Sequence, residues 1–125
     1  MTSDSLGFFE SQPEALPLYE AVERRVLEEI RDVEIRVQKT QISFYNRHLF
    51  ACVSFLKVRK EKERPPVYLV VTFGLDRKAE SPRIDAASKP YPNRWTHHVT
   101  ISSLDEIDGE LMGWVKEAAR FAAAK

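Results

Sequence analysis

The sequence predicts an α+β protein, a two-layer sandwich in which a five-stranded, mainly antiparallel sheet carries N- and C-terminal helices on one face. Three observations predict it. Apolar residues recur every three or four positions near both ends of the chain, the period of amphipathic helices. From Val33 the period drops to two, the signature of half-buried strands. The links between most of these strands are too short for crossover helices, so neighbours run antiparallel. Two helices with one apolar stripe each are buried most economically on the same sheet face. The 125 residues fit one domain, spanning 1–125.

The first helix is expected between Pro17 and Arg31. Leu18, Val22, Val26 and Ile30 form its stripe, widened by Tyr19 and Leu27. Pro17 suits a first turn and damages an interior. Ser11 and Glu14 have capping-box spacing, so two starts compete; one helix from near Pro13 with a flaw at Pro17 is the reading adopted. In the first strand Val33, Ile35 and Val37 alternate with Glu34, Arg36 and Gln38. In the second, Ile42 and Phe44 are apolar and Gln41 and Ser43 polar, so the apolar set has moved from odd to even numbers. A one-residue slip inverts every side chain, which requires a turn or bulge near Lys39-Thr40. Asn46-Arg47-His48 reads as a turn, Phe50 to Lys57 as the third strand and Val67 to Phe73 as the fourth, with RKEKERPP a loop or hairpin tip between them. Residues 74–94 have no clear period; a loop of that length in a compact domain is functional or partly helical. Trp95 to Ser102 is the fifth strand. The last helix is expected to start at a Ser103/Glu106 capping box and to bury Leu104, Ile107, Leu111, Trp114, Val115 and Ala118. Gly109 and Gly113 would allow close packing on the sheet.

Composition is that of a soluble globular protein, 43% apolar and 30% charged. No apolar run approaches the roughly 20 residues that span a bilayer, and the acidic start MTSDSLGFFESQPE lacks the basic region of a secretory signal. A cytoplasmic location without membrane association is expected. Cys52 lies in the apolar run LFACVSF and reads as a buried, inert thiol. The net charge of zero conceals segregation: residues 33–101 hold 13 bases and 6 acids between acidic ends. Five of those bases sit in KVRKEKER. Either a local positive field or ordinary solvated surface results.

The stretch WTHHVTI places His97 and His98 side by side. Neighbours on a strand face opposite ways, so the two imidazoles form no common site. His97, with Trp95, Val99 and Ile101, belongs to the core side; His98, with Thr96 and Thr100, belongs to the polar side. The four glycines build no phosphate loop, and neither a nucleophile elbow nor a helical zinc motif occurs. No catalytic residue, metal or cofactor is therefore expected.

What remains is a polar constellation. If the helices cover Ile35, Val37, Ile42 and Phe44, then Arg36, Gln38, Gln41 and His98 meet on the other face, with Lys39 at the phase change. Arg83, Tyr91 and Arg94 in the long loop would close over it. Cations with amide and hydroxyl donors suit phosphate or carboxylate, and a tyrosine can stack a base. The alternative is a solvated sheet face with cross-strand hydrogen bonds.

The runs PEALPLYEAV, IRVQKTQISFYN, FACVSF, YLVVTFGL, SPRI and RWTHHVTISSLDEIDGELMGWVKEA resemble family 5655 of the domains of unknown function, from about Phe8 to Phe121. The resemblance implies a small bacterial domain, found alone or at the C-terminus of predicted transport proteins, and implies no activity, cofactor or site residue. The order of elements is also similar to frataxin-type sandwiches, whose metal binding would use acids such as Glu20, Glu23, Glu28 and Glu29 on the first helix. The expected function is a non-enzymatic binding module for an anionic small molecule or nucleic acid on a basic sheet face. A protein-protein interaction domain is the alternative, ahead of a metal-binding or enzymatic role.

Overall fold

The computed structural model describes residues 7–125. After a 3-10 turn at Pro13–Ala15, helix α1 runs over Leu16–Glu29. Strands β1 (Glu34–Val37), β2 (Gln41–Tyr45), β3 (Leu49–Ser54), β4 (Leu69–Leu75), β5 (Ala86–Tyr91) and β6 (Arg94–Ile101) follow, and helix α2 (Gly109–Ala123) ends the chain. The sheet therefore has six strands, one more than expected, in the order β1-β2-β3-β4-β6-β5, and every neighbouring pair is antiparallel.

The added strand lies in the segment that showed no period. β5 is an edge strand, exposed on most of its positions, and it holds Pro90. An edge strand tolerates a residue without an N–H, and without a buried side it has no alternation to reveal it. Its hairpin to β6 turns at Pro92-Asn93, where Asn93 adopts φ 64°. Proline sets the first turn position, and asparagine tolerates the left-handed second one.

The helix boundaries differ from expectation at both ends. Pro17 lies in the first turn of α1, where its missing N–H costs nothing, so the helix has no internal flaw. The preceding cap position is Gln12 and makes no side-chain capping bond, so Ser11 does not cap this turn. Asp32, with φ 57°, turns the chain out of α1 towards β1. The Ser103/Glu106 capping box does form, but it caps a 3-10 turn over Leu104–Glu106. α2 begins separately at Asp108, whose Oδ1 accepts from the Leu111 N–H at 3.0 Å. That split leaves Leu104 58% exposed, and Leu27 on α1 is 49% exposed, so neither joins the core stripe. Gly113 is solvent-exposed, and a Cβ there would meet nothing within 4 Å, so close packing on the sheet is not its role.

Both helices cover the same sheet face. Leu18, Tyr19, Val22 and Val26 of α1 and Leu111, Met112, Trp114, Val115 and Ala118 of α2 join one core with Ile42, Phe44, Val53, Leu69, Val71, Phe73, Val99 and Ile101. Each fully buried large side chain contributes about 1.5–3 kcal/mol. The Lys39-Thr40 phase change is a tight turn, closed by the Gln38 N–H donating to the Gln41 carbonyl at 2.8 Å. It keeps Ile42 on the core side with Ile35 and Val37, and Gln41 and Ser43 on the other. Arg25 joins the helices: it pairs with Glu29 on α1 and donates to the Ile107 carbonyl at 3.0 Å, while Lys116 reaches Glu29 at 3.0 Å. Two of the four acids of α1 are thus paired, Glu29 here and Glu28 with Arg24. Among the described residues no group of three or more His, Cys, Asp or Glu could hold a metal ion, and no helix is long and apolar enough to cross a membrane.

Candidate functional site

The pairing register lays out the face away from the helices. Residues directly opposite in neighbouring strands share a face. One row runs Arg36, Ser43, Cys52, Thr72, His98, Ala86 from β1 to β5. The next runs Gln41, Ser54, Val70, Thr100 across the inner strands. The phase change at Lys39-Thr40 keeps the polar residues of β1 and β2, Arg36, Gln41 and Ser43, on this face.

A hollow of about 440 Å³ opens over the two rows. Gln41, Cys52, Ser54, Thr72 and His98 line it from the sheet; Lys39 and Thr40 come from the β1–β2 turn, Phe55 and Leu56 from the end of β3, and Phe8 and Ser11 from the N-terminal segment. Phe8 stacks on Phe55 with ring centroids 5.1 Å apart, giving the hollow an aromatic wall. Lys39 is its one lysine or arginine, and no carboxylate lines it among the described residues. The polar floor is held in place: the Gln41 Nε2 donates to the Ser43 hydroxyl at 2.7 Å, and that hydroxyl donates to the Gln38 Oε1 at 2.7 Å.

The two histidines separate as their parity demands. His97 is fully buried on the helix side, stacked on Phe73 at 5.1 Å, and its Nε2 accepts the Ala79 N–H at 3.0 Å. Burial pushes its pKa below the ordinary imidazole value. His98 faces the hollow, its Nδ1 2.8 Å from the Thr72 hydroxyl. Burial lowers its pKa as well, against a smaller upward pull from Asp85. Burial also raises the pKa of the Cys52 thiol, which keeps it protonated and a poor nucleophile.

The sequence-predicted residues divide into two groups. Lys39, Gln41 and His98 line the hollow, and Gln38 braces its floor through Ser43. Arg36 shares the face but is turned to Glu34 and lies over the Tyr45 ring at 4.1 Å. Arg94 is also on this face, its guanidinium against Gly74, where a Cβ would come within 2.6 Å of it, beside Thr96 and away from Lys39. Tyr91 is exposed at the tip of the β5–β6 hairpin. Arg83 points elsewhere: it donates to Asp108 at 2.7 Å, to Glu110 at 3.2 Å and to the Glu106 carbonyl at 2.6 Å, clamping the β4–β5 connection onto the start of α2. The long loop does not bring Arg83, Tyr91 and Arg94 together over the face. Cys52, Ser54 and Thr72 were missed, although the alternation that selects His98 selects them too. Phe8 and Leu56 carry no local signal; tertiary packing alone puts them on the rim.

The basic insert between β3 and β4 is anchored. It contains a 3-10 turn at Glu61–Glu63, and Arg59 reaches past β4 and β6 to Asp85, 2.9 Å away. Asp85 in turn accepts the Thr100 N–H at 2.8 Å.

A two-layer α+β sandwich with a polar, concave outer sheet face is the class of protein that these features define. A family model described as a domain of unknown function (DUF5655) matches residues 7–122, and the chain belongs to that family. Searches of curated proteins and of solved structures returned no match.

Proposed function

We propose that this domain is a non-enzymatic binding module that holds a small anionic ligand in the hollow above β2, β3, β4 and β6. One observation carries the reading: Lys39, with no carboxylate lining the same hollow among the described residues, stands over a floor of amide, hydroxyl and imidazole groups. The volume, about 440 Å³, falls within the range of small-molecule sites. A small ligand is favoured over nucleic acid because the hollow is lined by one cation, Lys39, among the described residues, and four arginines of the basic middle are held by acids. Arg36 faces Glu34, Arg59 faces Asp85, Arg77 faces Glu117, and Arg83 faces Asp108 and Glu110. Nucleic-acid binding depends on several unpaired cations acting along one surface.

Titration of the ¹⁵N-labelled domain with small carboxylates and inorganic phosphate at low salt tests this. Amide shifts are expected to cluster at Lys39, Gln41, Cys52, Ser54, Thr72 and His98, and to need about five-fold more ligand in Lys39→Ala. Shifts spread over the outer basic residues, together with tighter binding to a duplex oligonucleotide, would replace this reading with the nucleic-acid one.

A further inference from the structure

The chemistry of the hollow narrows the ligand. Its charge comes from one group: Lys39 is the single cation among the described lining residues. The imidazole of His98 adds no second charge at neutral pH, since burial holds its pKa below the ordinary value. Its Nδ1 is taken by Thr72, which leaves Nε2 as its remaining polar atom. The hollow also has an apolar wall, formed by the stacked rings of Phe8 and Phe55 and by Leu56, which is 49% exposed. A phosphate dianion needs at least two charged or several convergent N–H donors, and it gains nothing from an aromatic wall. A group with one negative charge and a flat apolar body matches both the single cation and the apolar wall.

We infer that the hollow takes a monoanionic amphiphile, a carboxylate carrying an aromatic or branched apolar group. Its carboxylate sits between Lys39 and the Gln41 and Ser54 side chains, and its apolar body lies against Phe8, Phe55 and Leu56. The inference rests on the proposed binding role and goes further by naming the ligand class.

Three probes of the full chain decide it, followed by amide shifts at low salt: benzoate, inorganic phosphate and benzamide, the neutral isostere of benzoate. Benzoate is expected to bind tightest. Lys39→Ala should weaken it about five-fold, the scale of one solvent-exposed ion pair. Leu56→Ser, at an exposed rim position where folding is not at stake, should weaken benzoate and leave phosphate unchanged. If phosphate binds in the hollow as tightly as benzoate, the amphiphile class is wrong while anion binding stands. Equal binding of benzamide and benzoate overturns both this inference and the anionic reading beneath it. The same holds if none of the three shifts Gln41, Ser54, Thr72 or His98.

Discussion

The two faces of the sheet carry adjacent histidines in opposite circumstances. On the helix side, His97 lies in a stack with Phe73, which itself stacks on Trp114 at 5.6 Å, and its one ring acceptor is taken by the backbone of Ala79. On the outer side, His98 leans on Thr72 and looks into a hollow. One peptide unit separates a side chain that holds the fold together from one that faces the hollow. The difference comes from the two-residue period of a strand, and the turn at Lys39-Thr40 extends it to β1 and β2.

The largest break in this comparison is expected from neighbouring residues of β4. Phe73→Ala empties the centre of the stack and should cost about 3–5 kcal/mol in urea unfolding. Thr72→Ala, on the outer face, should cost about 1 kcal/mol or less by the same measurement. Equal losses would mean that the outer face is as much a core as the inner one.

Arg83 sharpens the boundary of the site. Arg83→Ala releases the β4–β5 connection from Asp108, Glu110 and the Glu106 carbonyl, and should cost about 1–2 kcal/mol because its partners are only partly buried. Benzoate binding should be unchanged in this variant. A loss of binding would bring the long loop back into the site.

Gly113 tests the inner layer from its solvent side. Its would-be Cβ is unobstructed and it lies within α2, so Gly113→Ala should stabilise the domain by about 1 kcal/mol. A destabilisation would show that the backbone of α2 is more crowded there than the geometry allows.

The smallest effect is a shallow dependence on pH. Both histidines have pKa values lowered by burial. The unfolded chain takes up protons near pH about 6.5, whereas the folded chain resists them until lower pH. Stability is therefore full above about pH 6.5, declines as the pH falls from there towards the folded-state values, and levels off below them. His97→Gln keeps an acceptor for the Ala79 N–H and removes a titrating group, so its denaturation midpoint should change less between pH 8 and pH 5. An equally steep decline would assign the acid sensitivity to other groups.

Much of the fold was legible because its elements are half buried. The stripe of α1, the alternation of β2 and the parity of His97 and His98 each record one face in the core. β5 was illegible for the complementary reason: exposed on most positions, it leaves no period, and only Tyr91-Pro92-Asn93-Arg94 marked its turn. The start of α2 was misplaced because a sound capping box belonged to the 3-10 turn before it, while Asp108 supplied the true cap. In the site, the parity that gathered Lys39, Gln41 and His98 also holds for Cys52, Ser54 and Thr72. Arg83 was grouped with them by charge alone, and charge does not say which partner an arginine will find. Phe8 and Leu56 reach the rim through packing between distant segments, which no local pattern encodes.

The central claim is that His98 presents one ring nitrogen to Thr72 and the other to the hollow proposed to hold a small anion. Imidazole ¹⁵N shifts of His98, followed during a benzoate titration at pH 7, measure it most directly. The account predicts that the Nε2 resonance moves with saturation while Nδ1, held by Thr72, stays nearly fixed, and that Lys39→Ala needs about five-fold more benzoate for the same shift. If both His98 nitrogens stay still while benzoate shifts residues elsewhere, the hollow is not the site.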